Sequence, residues 1–329
     1  MLNSLLVTRP PMTTALAYDE RFCEHDTGPG HPERPQRVRA IEKHLRACGL
    51  WHRFDMVSFD AADDRSIEAI HDSAYMERLE ASCRDGLGFI DTAESVVCPR
   101  SAEIARLAVG AALAAVDAVV EQRAANAFCA LRPPGHHAER DRSMGFCLFN
   151  NVAVAANYAI ERHGLERVAI VDFDVHHGNG TQHTFEQRAD VLFVSLHEDP
   201  ACLYPGTGFA CETGHGEGAG FTINLPMAPH SADESYREAF EETVLPALEL
   251  FGPKMLFVSA GFDASAADPL AHLMVTPDGF AWMTEQLAAV AARTCGGRIV
   301  SLLEGGYDLA SLAECVQHHV AVLLEAGEK

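Results

Sequence analysis

Five short apolar runs recur along this chain, and their pattern leaves few folds open. Ala127 to Leu131 (AFCAL), Val168 to Val175 (VAIVDFDV), Val191 to Leu196 (VLFVSL), Met255 to Ala260 (MLFVSA) and Arg298 to Leu303 (RIVSLL) read as strands. Strands that are apolar almost throughout belong to a parallel sheet buried on both faces. Helix candidates lie between them: Ala102 to Arg123, Asn151 to His163, Ser235 to Phe251 and Pro277 to Thr294. Thr276 before Pro277 is a good helix entry, an N-cap hydroxyl followed by proline in the first turn. This alternation predicts an α/β fold with one doubly wound, mainly parallel sheet and helices on both faces. At about 150 residues per domain, 329 residues would suggest two domains. No linker or internal repeat divides the chain, so residues 1–329 are expected to form one domain. The first hundred residues are less regular, and the first 15 or so are expected to be loosely ordered.

Composition excludes more than it selects. Apolar residues make up 48% of the chain, enough for a packed core. Lys and Arg total 25 against 47 Asp and Glu, a formal charge of −22. That argues against nucleic-acid binding, which relies on basic surface, and is compatible with a cationic ligand. No run of 18 apolar residues exists; the nearest, from Ile104 to Val120, is broken by Arg106 and Asp117. The N-terminus lacks the pattern of a secretory signal. The ten Cys form no CxxC pair, and Cys129, Cys147 and Cys295 sit in apolar runs. A reduced cytoplasmic protein is the simplest expectation. His is frequent, 17 residues, which suits metal or proton chemistry.

The ligand edge of such a sheet lies beyond the carboxyl ends of its strands. Four of the runs end in chemistry-bearing sequence: Arg132-Pro-Pro-Gly-His136-His137, Asp172-Phe-Asp174-Val-His176-His177-Gly-Asn179, Gly261-Phe-Asp263 with Asp268-Pro269, and Glu304-Gly-Gly-Tyr307. Asp172, Asp174 and His176 alternate with apolar residues and would share one face of an extended strand. Asp174 and His176 could then reach one cation, with Asp263 as a third ligand from another strand end. Two carboxylates and an imidazole leave an open position, as a hydrolytic metal requires. Zn²⁺ leads, with Fe²⁺ or Mn²⁺ open because O/N ligands discriminate poorly. DxDxH alone could equally be a capping or ion-pair cluster. His136 and His137 follow a Pro-Gly turn; one can act as general base on a water and the other as its electrostatic partner. Asp172 is free to orient one imidazole and Asn179 the other, the neutral partner leaving its His less basic. Tyr307 after two Gly could bring a phenol donor into the site. His177 reads as a local hydrogen-bonder.

Together these runs resemble the zinc-dependent histone deacetylase superfamily and its arginase/deacetylase fold. The matching stretches are RPPGHHAERDRSMGFCLFNN (132–151), VAIVDFDVHHGNGTQHTFE (168–186), SAGFDASAADPL (259–270), LLEGGYDL (302–309) and HDTGPGHPERPQR (25–37). Asn179 in HHGNGTQ resembles the class II branch and its bacterial amidohydrolase relatives. The resemblance implies a single deacetylase domain with zinc held by Asp174, His176 and Asp263. It implies His137 as general base and acid, His136 paired with Asp172 as electrostatic partner, and Tyr307 as the residue polarising the scissile carbonyl. Phe146 and Tyr204 resemble the two walls of an acyl-lysine channel, and Leu270 falls at its rim; plain packing is the alternative for the aromatics. A structural monovalent cation, K⁺, is implied among Asp172, Asp174, His176, Ser195 and Leu196, and a second near Phe185, Arg188, Val191 and Phe221. A substrate-clamping acid falls at Asp91 or Glu94.

The implied reaction releases acetate and a free amine from an acetylated amine. Acetyl-lysine in proteins or peptides and acetylpolyamines both fit the chemistry. Leu270 where polyamine-selective relatives carry Glu disfavours the second; Glu24, Asp26 and Glu33 in the N-terminal rim segment favour it, unless they are solvated surface. A two-metal ureohydrolase on the same fold leaves the His pair and Tyr307 without a role. A silent acyl-amine binding module is opposed by the complete set of reactive side chains. Neither a membrane nor a nucleic-acid partner is expected, and a homo-oligomer is left open.

Overall fold

The computed structural model describes residues 13–328. The expectation of loose order over the first 15 residues falls largely outside them, and Thr14 and Ala15 already belong to a strand. Strands β1 (Thr14–Ala17) and β2 (Asp55–Met56) precede an antiparallel hairpin of β3 (Phe89–Ile90) and β4 (Thr92–Val96). Then follow β5 (Asn126–Cys129), β6 (Val168–Asp172), β7 (Val191–Glu198), β8 (Thr222–Met227), β9 (Leu256–Ala260) and β10 (Ile299–Leu303). Outside the hairpin, all of them join one sheet of eight parallel strands in the order β2-β1-β5-β10-β9-β6-β7-β8.

The period-2 rule of strands divides the core cleanly. Ala127, Cys129, Val168, Ile170, Val191, Phe193, Phe257, Val300 and Leu302 point to one face. Their neighbours Phe128, Ala169, Val171, Leu192, Val194, Val258 and Leu303 point to the other. The first face packs under α3 (Ser73–Asp85), α4 (Ser101–Val120) and α5 (Asn151–His163), with α1 (Gln36–Ala47) and α2 (Asp64–Glu68) preceding them in the chain. The second packs under α1, α9 (Pro277–Cys295) and α10 (Leu309–Gly327), after the shorter α6 (Asn179–Phe185), α7 (Asp233–Ala239) and α8 (Leu245–Phe251). The sheet is thus doubly wound, as the alternation predicts. No helix among the described residues is long and apolar enough to cross a membrane.

Two expected elements differ. The helix over 235–251 is split between α7 and α8 by a wider π turn at Phe240–Val244, where the Leu245 amide bonds back to Phe240. Pro246 has no N–H to offer the preceding turn, and the wide turn carries the chain past it. The second strand stops at Asp172, short of Val175. In the sheet, β5, β10, β9 and β6 are consecutive neighbours, so the four chemistry-bearing strand ends lie side by side.

Candidate metal and acid–base centre

Where β6 stops, carboxylates take over from the ladder. Asp172 Oδ1 accepts the Asp174 amide at 3.1 Å, and Asp174 Oδ1 accepts the His176 amide at 2.9 Å. Such short-range side-chain bonds turn a backbone out of extended form. The expectation that Asp172, Asp174 and His176 share one strand face is therefore corrected. Asp172 turns its other oxygen to His136 Nδ1, 2.9 Å away, while Asp174 and His176 turn together. The Val175 amide donates to Asp263 Oδ1 at 2.9 Å and draws in the carboxylate that follows β9.

The result is a buried group of Asp174, His176 and Asp263 whose ligand atoms all lie within 4.8 Å of one another. His176 Nδ1 faces both carboxylates, 3.1 Å from Asp174 and 3.2 Å from Asp263. Burial opposes a charge on His176, but hydrogen bonds to the two acids outweigh it and push its pKa up to about 10. Burial raises the Asp263 pKa, and Asp174 adds to it. Two buried carboxylates around one ring nitrogen fit a divalent cation, which would supply the charge that a proton on His176 otherwise provides. Gly305, whose amide donates to Asp174 Oδ2 at 2.7 Å, closes the group from β10.

The adjacent histidines are held in opposite states. Glu304, fully buried, anchors their loop by accepting the Gly135 and His136 amides at 2.7 and 3.2 Å. Burial lowers the His136 pKa, but Asp172 and Asp174 overcome this and raise it to about 10. Beside it, 4.1 Å between ring centres, burial and the charge on His136 drive the His137 pKa well below the ordinary value. Its partner is neutral: Nδ1 sits 2.7 Å from Asn179 Oδ1. An imidazolium and a neutral imidazole in contact divide electrostatic and base roles between them.

Tyr307 is buried, and its amide donates to Asp268 Oδ2 at 2.6 Å. The other Asp268 oxygen accepts the amide of half-buried Leu270 at 3.0 Å. Arg37 Nε donates to the Gly306 carbonyl, and its guanidinium lies 5.0 Å over the Tyr307 ring. Phe146 stands edge-on to Tyr307 at 5.9 Å, with His31 at 4.8 Å. Tyr204, 39% exposed, lies 5.2 Å from His137 and 6.4 Å from His176. Its hydroxyl approaches Glu94 at 3.5 Å, whereas Asp91 is occupied by Arg78 and the Ser143 amide.

Glu33 is not on a rim: it is fully buried against Arg132 and Arg37, which hold its pKa down at about 2 against the cost of burial. Glu24 and Asp26 do remain at the surface. Ser195 lies opposite Asp172 in the β6–β7 ladder, and its hydroxyl meets His197 at 2.8 Å. Arg188 donates its amide to the Phe185 carbonyl, and Phe221 accepts from Phe193 on the strand that Val191 opens. His177 bonds Thr207 and Gln182 as expected of a structural residue. The sequence assigns no role to Glu304, Asp268, Arg37 and Glu139; Glu304 and Asp268 stand in strand-end segments that carry other chemistry, whereas Arg37 lies in helix α1 and Glu139 in the polar loop after the histidine pair, where no local signal marks them.

Comparison with known proteins shows the family. Residues 31–323 match the family described as Histone deacetylase domain. The chain is 41% identical over 319 residues to a histone deacetylase-like amidohydrolase of Pseudomonas aeruginosa, covering 92% of this chain and 83% of that one. It is 37% identical over 300 residues to a probable deacetylase of Archaeoglobus fulgidus, covering 91% and 82%. A crystal structure of the HDA15 HD domain superposes with a TM-score of 0.89 at 38% identity, covering 95% of this chain and 89% of that chain.

Proposed function

The chain belongs to the histone deacetylase family and is a hydrolytic deacetylase; from that premise we propose that it acts as one domain on acetyl-lysine in proteins or peptides, with Zn²⁺ held by Asp174, His176 and Asp263. The observation that carries the mechanism is the pair of adjacent histidines beside the Asp-His-Asp group, His136 bonded to the Asp172 carboxylate and His137 to the neutral Asn179 amide. When bound, the cation supplies Lewis acidity toward the amide carbonyl and a water molecule. His137, neutral, takes the proton of the attacking water. Cationic His136, kept so by Asp172, and the Tyr307 hydroxyl stabilise the oxyanion that develops on the carbonyl. His137 then passes its proton to the leaving amine nitrogen, which frees acetate and the amine. Phe146 and Tyr204 flank the acylated stem, and Leu270 lies at the rim.

Leu270 supports acetyl-lysine as the substrate, because an aliphatic rim offers nothing to a second ammonium. The carboxylate of Glu94 beside Tyr204 favours acetylpolyamines instead. Measuring kcat/KM on acetyl-lysine peptides against acetylspermidine and acetylputrescine decides between them; a higher value on the polyamines overturns the first reading. Tyr307→Phe should lower turnover by roughly 10²-fold or more if the hydroxyl serves the oxyanion, and near-normal turnover would remove it from the mechanism. We include K⁺ near Asp172, Asp174, His176, Ser195 and Leu196, supported by the ladder pairing of Asp172 with Ser195. A reducing cytoplasm suits the ten free thiols.

A further inference from the structure

We propose that Glu139 and His183 are positioning residues that determine which ring nitrogen of His137 is free to accept a proton; the proposal rests on His137 being the base. The short helix α6 presents Asn179 and His183 one turn apart on the same side, and Glu139 follows His137 by two residues. The four groups form one hydrogen-bonded line. His137 Nδ1 meets Asn179 Oδ1 at 2.7 Å. Asn179 Nδ2 donates to Glu139 Oε1 at 2.6 Å and to the His137 carbonyl at 3.2 Å. His183 Nδ1 bridges both Glu139 oxygens, at 2.8 and 3.0 Å.

The two ends of an asparagine amide have the same shape and differ only in hydrogen-bonding sense, so their neighbours decide which end faces where. A carboxylate and a carbonyl can only accept. They therefore demand the NH₂ end, and the amide oxygen is left facing His137. An oxygen acceptor fixes the proton on Nδ1 and leaves Nε2 bare. The flipped amide would donate to Nδ1, move the proton to Nε2 and leave no base. Asn179 alone cannot make this choice; ionised Glu139, at the shorter distance, makes it together with the His137 carbonyl. Burial disfavours the Glu139 charge, but the hydrogen bonds from His183 and Asn179, with the charges of His183 and Arg142, together hold its pKa below the ordinary value. His183 is the outer end of the line, with its side chain 41% exposed, in a cleft it shares with Glu186, Glu212 and His215. An Asp at position 179 would need no such partner, because both of its oxygens accept.

The test uses the full-length zinc-loaded enzyme with an acetyl-lysine peptide, and ¹⁵N NMR of ring-labelled histidines to read the His137 tautomer. Glu139→Gln should lower kcat by about 10-fold, less than the roughly 10²–10⁴-fold that general acid–base catalysis supplies because the base itself remains, with KM changed by less than about twofold. His137 should then show both neutral tautomers instead of Nδ1–H alone. His183→Asn, at a half-exposed position that tolerates exchange, should move both readouts the same way by less, and it carries the test if Glu139→Gln does not fold. Because a carboxylate needs no orienting, and an Asp at position 179 would stand against the Glu139 carboxylate, Asn179→Asp combined with Glu139→Gln should turn over no more slowly than Asn179→Asp alone. Unchanged kcat with pure Nδ1–H in Glu139→Gln, or losses that simply multiply in the double variant, overturns the proposal. His137→Phe separates the two layers. If it is inactive while Glu139→Gln is normal, only the positioning role fails. If it keeps its turnover, the base assignment fails and takes the positioning role with it.

Discussion

Gly305 has no room for a side chain. A Cβ there would run into Asp263 Oδ2 and Asp174 Oδ2, the two carboxylates that surround His176. Gly305→Ala should therefore fold, because the clash is with side chains, yet fail to hold stoichiometric metal; elemental analysis of the purified variant checks this, and full occupancy would refute it. The same crowding explains what could be read at the level of residues. Asp174, His176 and Asp263 were legible because three ionisable groups at strand ends need a common counter-charge. The His136–His137 pair was legible because it follows a rigid turn facing them. Asp172 was misplaced on their face because alternation says nothing about side chains that bond their own backbone two residues on. Glu304 and Glu139 were passed over because each acts through a neighbour distant in sequence: Glu304 on a loop some 170 residues earlier, Glu139 on a helix some 40 residues later.

Among the elements, α9 shows how far local signals reach. Thr276 accepts the Gly279 amide, Pro277 occupies the first turn, and the expected 277–294 helix runs over Pro277–Cys295. Thr276 is also tied to Asp233 by its hydroxyl and its amide, which joins the cap of α9 to the start of α7. Thr276→Ala should cost about 1 kcal/mol of stability, read by denaturant unfolding, with kcat unchanged. A cost below the error of the measurement would mean that the cap is dispensable. Helices α4 and α5 and strands β5, β6, β7, β9 and β10 are legible for the same reason, a sustained apolar pattern. Strand β1 (TALA) lacks the β-branched run that marks a buried strand, and β8 (TINLPM) lies at the sheet edge with polar residues and a proline. Both become strands because a neighbour already in place offers them a ladder, and that information is not local.

At the scale of the molecule, buried acidity makes the fold sensitive to pH in a defined direction. Burial pushes Glu304 up to about 7, and burial with Asp263 pushes Asp268 to the same value. His136 and His176 are raised to about 10 by their acid partners against the cost of burial. A group whose folded pKa lies above its unfolded one contributes stability that is present below the unfolded value and lost as pH rises through the folded one. All four groups act in that sense, the carboxyls between about pH 4 and 7 and the imidazoles between about 6.5 and 10. Buried His25, His71, His177, His197 and His319, with lowered pKa values, act the other way only at and below the ordinary imidazole range, so metal-free protein should melt at a lower temperature at about pH 9 than at about pH 7.5. Added Zn²⁺ should raise the melting temperature most at the higher pH, because the cation replaces a proton that is already leaving. Melting curves of chelated and zinc-loaded samples at both values check it; an apo protein more stable at pH 9 would reverse the sign.

The strand order also has a consequence in time. Strand β10, the last along the described chain, inserts between β5 and β9. Until it arrives, β2-β1-β5 and β9-β6-β7-β8 share no ladder, and the histidine loop after β5 stands apart from the carboxylates after β6 and β9. On a ribosome both halves are made before the strand that joins them. The reactive centre thus comes into being only with β10, which keeps it from forming before that strand is made.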